Sequence, residues 1–163
     1  MKQQTGKTSE VDSIVLTKHV INSVIDKGLS VSHLKLQKLI YFINAWHLAY
    51  FEQPLVADDF EAWVHGPVSR KVWCHFKDQS LLNDKLSKQE GESDFERQTT
   101  DDQRDLVEDV LTEYAGDSSY TLEKITHAEP MWIQAREGLR YDEPCNKKMN
   151  LQDVKEHYQS LID

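Results

Sequence analysis

Apolar residues recur at intervals of three and four through Leu36, Leu39, Ile40, Ile43, Trp46, His47 and Tyr50, directly after a serine at position 32. That spacing predicts a helix with Ser32 as its N-cap. Its other side is also apolar, with Leu34, Tyr41, Phe42, Ala45, Leu48 and Ala49. A helix apolar on most sides is the enclosed, central one. After Pro54 the period changes to two, Phe60, Ala62 and Val64 alternating with Glu61, Trp63 and His65 up to Gly66-Pro67. This predicts a short strand or extended turn within a two-stranded β element around residues 55–65. Pro67 is suited to the first turn of a helix, and Val68, Val72, Trp73 and Phe76 continue at helical spacing.

The remaining pattern is helical. Asp12 or Ser13 caps a helix carrying Ile14, Val15, Ile21, Val24 and Ile25, which Gly28 ends. Another runs from Asp102 through Leu106, Val107, Val110, Leu111 and Tyr114 to Gly116. Ser118 or Ser119 opens a shorter helix with Leu122 and Ile125, Pro130 begins the next, and a last helix from Leu151 carries Val154, Tyr158, Leu161 and Ile162. Residues 83–101, acidic and without a period, read as a loop. The expected architecture is mainly α: a flexible N-terminus over 1–11, then one compact domain over 12–163 with about six or seven helices and at most that short β element.

The run LKLQKLIYFINAWHLA, then PL, then DDFEAWVHGPV, and downstream YTLEKITHAEPMWIQAR resembles the Panacea domain, the SocA-like or phage-associated family whose known members are largely bacterial antitoxins. The resemblance extends from about Ile14 to about Ile162 and is weakest between Leu81 and Asp102. It implies a non-enzymatic protein that neutralises a cognate toxin, encoded nearby, by direct contact. It also implies that His127 and Trp132 neighbour the FEAWVHGP block in space. Trp63, His65, Gly66, Pro67, Arg70, His127 and Trp132 would then form one aromatic partner-binding groove.

Charge adds a second candidate surface. Residues 1–77 carry 9 Lys and Arg against 7 Asp and Glu, and residues 78–163 carry 10 against 21. Between Glu90 and Asp117 stand 11 acids and 2 bases. The plain reading is a solvated face. The sharper one is an acidic surface, through Glu92, Asp94, Glu96, Asp101 and Asp102, that steers a basic partner. The same field repels phosphate and argues against direct nucleic-acid binding.

Catalytic patterns are absent from the sequence. The seven histidines form no HExxH or HxxxH pair, so no metal is expected, and His47 on the core helix reads as a hydrogen-bonded core residue. His65, beside the Gly-Pro corner, either locks the turn or meets a partner. Cys74 and Cys145 lack CxxC spacing, and Asp58, Asp59 and Glu61 read as turn-solvating acids rather than a paired acid and base. The glycines form no phosphate loop, and no cofactor is expected. The polar N-terminus and the lack of a long apolar run lead to the expectation of a cytoplasmic protein. Beside the occluding antitoxin stand a proteolytic adaptor that delivers a toxin to a host protease, a phage- or prophage-linked regulator of a host protein, and, last, an unrecognised hydrolase.

Overall fold

The computed structural model describes residues 10–78, 85–90 and 94–162. Its organising element is the predicted central helix. Helix α1 (Ser13–Asp26) leads into α2 (His33–Phe51), whose N-cap Ser32 accepts from the Lys35 amide. Every residue of α2 except Trp46 is buried. Around it pack α5 (Asp101–Tyr114), α6 (Ser119–His127) and α8 (Leu151–Ser160), together with α1 and the hairpin of β1 (Glu61–Trp63) and β2 (Gly66–Val68). Short helices α3 (Arg70–His75), α4 (Asp94–Gln98) and α7 (Pro130–Ala135) complete the described elements. The expected mainly helical, single-domain fold with one small two-stranded sheet is what the structure shows.

A helix enclosed on all sides cannot leave its polar side chains in water, and here each of several fastens a non-helical segment. Asn44 Oδ1 accepts from the amides of Leu55 (2.8 Å) and Val56 (3.2 Å). His47 Nδ1 donates to Gln53 O at 2.5 Å, while its Nε2 faces Gln103 Nε2 at 3.1 Å. Burial drives the His47 pKa down to about 4, so the ring is neutral, with Nε2 left to accept from Gln103. It is the core histidine that the pattern predicts. Gln37 accepts from the Ser69 amide at 2.9 Å, and Lys38 Nζ donates to Pro67 O at 3.0 Å. These anchors aim the 53–69 segment.

Four expectations change. Pro67 lies in β2, paired with Ala62, and the next helix begins only at Arg70 behind Ser69, whose side chain accepts from the Val72 amide. A proline fits there because the Ala62 carbonyl, which would otherwise face its missing N–H, accepts from Arg136 Nη1. The period of two in β1 is also incomplete, since Glu61 is buried beside Phe60 and Ala62. The predicted 83–101 loop contains α4, pinned by Phe95, which is 2% exposed and stacks on His19 at 3.8 Å. Its cause is one apolar residue among charges, too little to show a period. Finally, Val11 is buried and its amide donates to Leu55 O, so the ordered core includes a position assigned to the flexible N-terminus, while residues 1–9 lie outside the described residues. Among the described residues no helix is long and apolar enough to cross a membrane.

Candidate functional site

The β1–β2 corner is held from three sides. From α6, His127 Nε2 donates to Val64 O at 2.8 Å; from α7, Trp132 Nε1 donates to Trp63 O at 3.0 Å. From below, Lys38 of α2 reaches Pro67 O. His127 and Trp132 stack at 4.2 Å with 24° between planes, so the predicted neighbours of FEAWVHGP are in contact with it. Tyr141 donates its hydroxyl to His127 Nδ1 at 3.0 Å, which fixes the tautomer with the proton on Nε2. Burial lowers the His127 pKa and keeps that neutral form.

On the outer side, Glu61 binds Arg70 through both oxygens, at 3.0 Å to Nε and 2.8 Å to Nη2. Glu61 also accepts from Trp63 Nε1 at 2.9 Å. Those hydrogen bonds, the Arg70 pair first, hold the Glu61 carboxyl below its ordinary range. The Arg70 guanidinium lies 5.6 Å from the Trp63 ring centre, and Trp73 meets the same indole edge-on at 5.7 Å. Trp63 is therefore half-buried, one ring in a three-member aromatic and guanidinium stack rather than a lone exposed anchor. His65 Nδ1 lies 2.9 Å from Glu123 Oε1 of α6, while its side chain remains 39% exposed. It locks the turn and faces solvent at once.

The seven residues of the predicted groove do not form one surface. Gly66 and Pro67 are buried, with Gly66 pressed on Lys38, and Trp132 is buried behind His127. Trp63, His65 and Arg70 remain at the surface, and together with Val64, Val68, Pro144, Cys145 and Asn146 they line a cavity of about 480 Å³. The 144–146 wall was not visible in the sequence. Its support is Arg136, 5% exposed, whose Nη1 donates to Ala62 O at 2.8 Å. The Nη2 of the same guanidinium faces Arg140 O, Tyr141 O and Glu143 O at 3.2, 3.2 and 2.5 Å. A buried cation spent on main-chain carbonyls fixes the whole 140–143 turn to β1. An arginine at the end of a short helix was the available sign.

The acidic candidates are dispersed. Asp94 pairs with Arg97 and Asp101 with Arg104 on their own helices, Glu96 and Asp102 are exposed, and Glu92 lies outside the described residues. The exposed acids of α5 continue through Asp105, Glu108, Asp109 and Glu113, of which Glu108 pairs with Lys27. Of the turn acids, Asp58 accepts from Ser69 Oγ at 2.6 Å and Asp59 pairs with Lys148 at 2.9 Å. Among the described residues no group of three or more His, Cys, Asp or Glu is placed to hold a metal ion.

No solved structure matches the chain. A stretch of 61 residues is 41% identical to the Antitoxin SocA of Caulobacter vibrioides (strain NA1000 / CB15N), covering 35% of this chain and 32% of that protein. The match thus spans about a third of the curated relative's length. Residues 36–133, which contain α2 from Leu36 onward, the hairpin, α3 to α6 and the first residues of α7, match the family described as Antitoxin SocA-like, Panacea domain. Since that match takes in more than half of the sequence and all of the β1–β2 corner with its supports through Trp132, the chain belongs to the SocA-like antitoxin family with the Panacea domain.

Proposed function

We propose that this protein is an antitoxin that binds a cognate protein toxin directly and holds it inactive, without chemistry of its own. Membership of the antitoxin family carries the reading. The geometry that supports it is the fixed corner, where Trp63, His65 and Arg70 stand at the surface while Glu61, Lys38, Trp132 and Arg136, which hold the corner, are buried. Tryptophan and arginine on a preorganised support have the composition of an interface hot spot. A rigid site loses little entropy on binding.

The test is co-expression with the product of the adjacent gene, scoring growth and co-purification together. Rescue of growth with a stable stoichiometric complex is the expected result. Rescue accompanied by disappearance of the toxin, dependent on a host protease, would replace occlusion with delivery. Absence of both toxicity and complex would transfer the protein to the class of host-protein regulators.

The acidic stretch supplies steering rather than the contact itself. Replacing Glu92, Asp94, Glu96, Asp101 and Asp102 by their amides is expected to slow association severalfold at low salt and to flatten its salt dependence, with dissociation unchanged. Stopped-flow association rates at two ionic strengths check this. Rates that do not move remove the steering.

A further inference from the structure

The polar groups deep in the corner are already committed. Trp63 Nε1 and the Nε–Nη2 edge of Arg70 go to Glu61, His65 Nδ1 goes to Glu123, and the carbonyls of Trp63 and Val64 are taken by Trp132 and His127. The cavity between Trp63 and the 144–146 wall therefore offers mostly apolar surface, from the indole, Val64, Val68 and Pro144. At its rim stand two groups with spare donors. Arg70, about half exposed, has Nη1 uncommitted among the described residues, and the exposed Asn146 amide is likewise uncommitted. The Arg70 charge is offset by Glu61, so a carboxylate arriving there would be repelled by that acid, whereas a neutral carbonyl can accept from the spare N–H donors with far less repulsion.

We infer that the cavity is the socket for a single apolar or aromatic side chain of the toxin, whose main-chain carbonyl accepts from Arg70 and Asn146 at the rim. The inference rests on the antitoxin reading above and specifies its contact. At about 480 Å³ the socket has room for one large side chain with part of its backbone. Arg136 contributes by positioning: it ties the turn that precedes the outer wall to Ala62 of β1, so both walls move as one body. This prearranged socket departs from the seven-residue groove, because its second wall is Pro144 to Asn146 and its floor excludes Gly66, Pro67 and Trp132.

Asn146→Trp fills the mouth from an exposed position, and Asn146→Ala leaves it open. With the full chain and the neighbouring gene's product, the Trp variant is expected to bind about thirtyfold or more weakly, the loss of one hot-spot anchor. The Ala variant, which loses only one hydrogen bond at the rim, should bind about fivefold more weakly, well short of the Trp variant's loss, and both should melt close to the wild type. A second measurement needs no bulky substitution. In a Cys74→Ala background, alkylation of Cys145 by iodoacetamide should slow at least about tenfold when the toxin is bound, because Cys145 lines the socket.

A complex that forms equally well with Asn146→Trp and leaves Cys145 reactive would overturn the socket while preserving the antitoxin. Failure of the wild type to form any complex would overturn the antitoxin reading, and the socket with it. A change of oligomeric state on plugging the free chain would assign the cavity to a second copy of this protein instead.

Discussion

Replacing Gly66 by alanine should destabilise the protein by about 3 kcal/mol, because two separate costs fall on one methyl group. The residue has φ +107°, a conformation that L side chains rarely adopt. A Cβ there would stand 2.5 Å from Lys38 Cε and 2.8 Å from Thr126 Oγ1. Lys38 cannot swing away cheaply, since its side chain is wholly buried and its ammonium is bonded to Pro67 O, one residue along. Gly28 supplies the control. Its φ of +80° is similarly strained but nothing lies within 4 Å, so Gly28→Ala should cost only about 1 kcal/mol. Urea unfolding with an unchanged m-value separates the two, and a double-mutant cycle with Lys38→Ala should recover about 1 kcal/mol of the Gly66 cost by opening the space below it. Equal midpoints for the two alanine variants would mean that the corner yields and is not seated on Lys38.

The same corner shows which parts of the structure the sequence made legible. Helices with a cap and several periodic apolar residues were readable: Ser32 caps α2, Asp12 caps α1 and Ser118 caps α6, each through a side-chain bond to a following amide. Thr100 and Gln103 add a reciprocal capping box at the start of α5. What could not be read depends on distant partners. Pro67 fits a helix start by local chemistry, yet Lys38 and Gln37, about thirty residues earlier, claim Pro67 O and Ser69 and hold the chain extended. Phe95 holds α4 through α1, not through neighbours of its own. Within the candidate site, family resemblance placed His127 and Trp132 beside the corner but left open which groups face outward. Burial answers that, turning Trp132 into a support and leaving Arg70 and Trp63 at the surface. The opposite wall depends on Arg136 binding carbonyls, and no residue pattern marks a carbonyl as an acceptor.

The second large effect concerns Glu129, just before α7, and appears as a pH dependence. Its carboxylate lies in the core, 4% exposed, with Tyr41 donating to Oε1 and Tyr158 to Oε2, each at 2.5 Å. Burial pushes its pKa up from 4.5 to about 7, although both phenols pull the other way by bonding the ionised form. A carboxyl whose folded pKa is raised stabilises the fold fully below its unfolded value, and that contribution is lost as pH rises through the folded one. From pH 4.5 to 7 the loss is about 3 kcal/mol. Glu129→Gln cannot titrate, so the stability of the wild type minus that of the variant should fall by this amount over the window and then level off. His33 and His47, both lowered to about 4, and Lys38, lowered to about 7, titrate in both proteins and cancel in the difference. In the absolute curve they do not: the histidines weaken the fold on acidification below 6.5, and Lys38 strengthens it as pH rises from 7 towards 10.5. Urea midpoints at four pH values for the two proteins measure the difference directly. A difference that stays level or grows with pH would show the two tyrosine hydrogen bonds outweighing burial, with Glu129 ionised in the core at every pH tested and the Tyr41–Glu129–Tyr158 bridge acting as a charge-assisted clamp between α2 and α8.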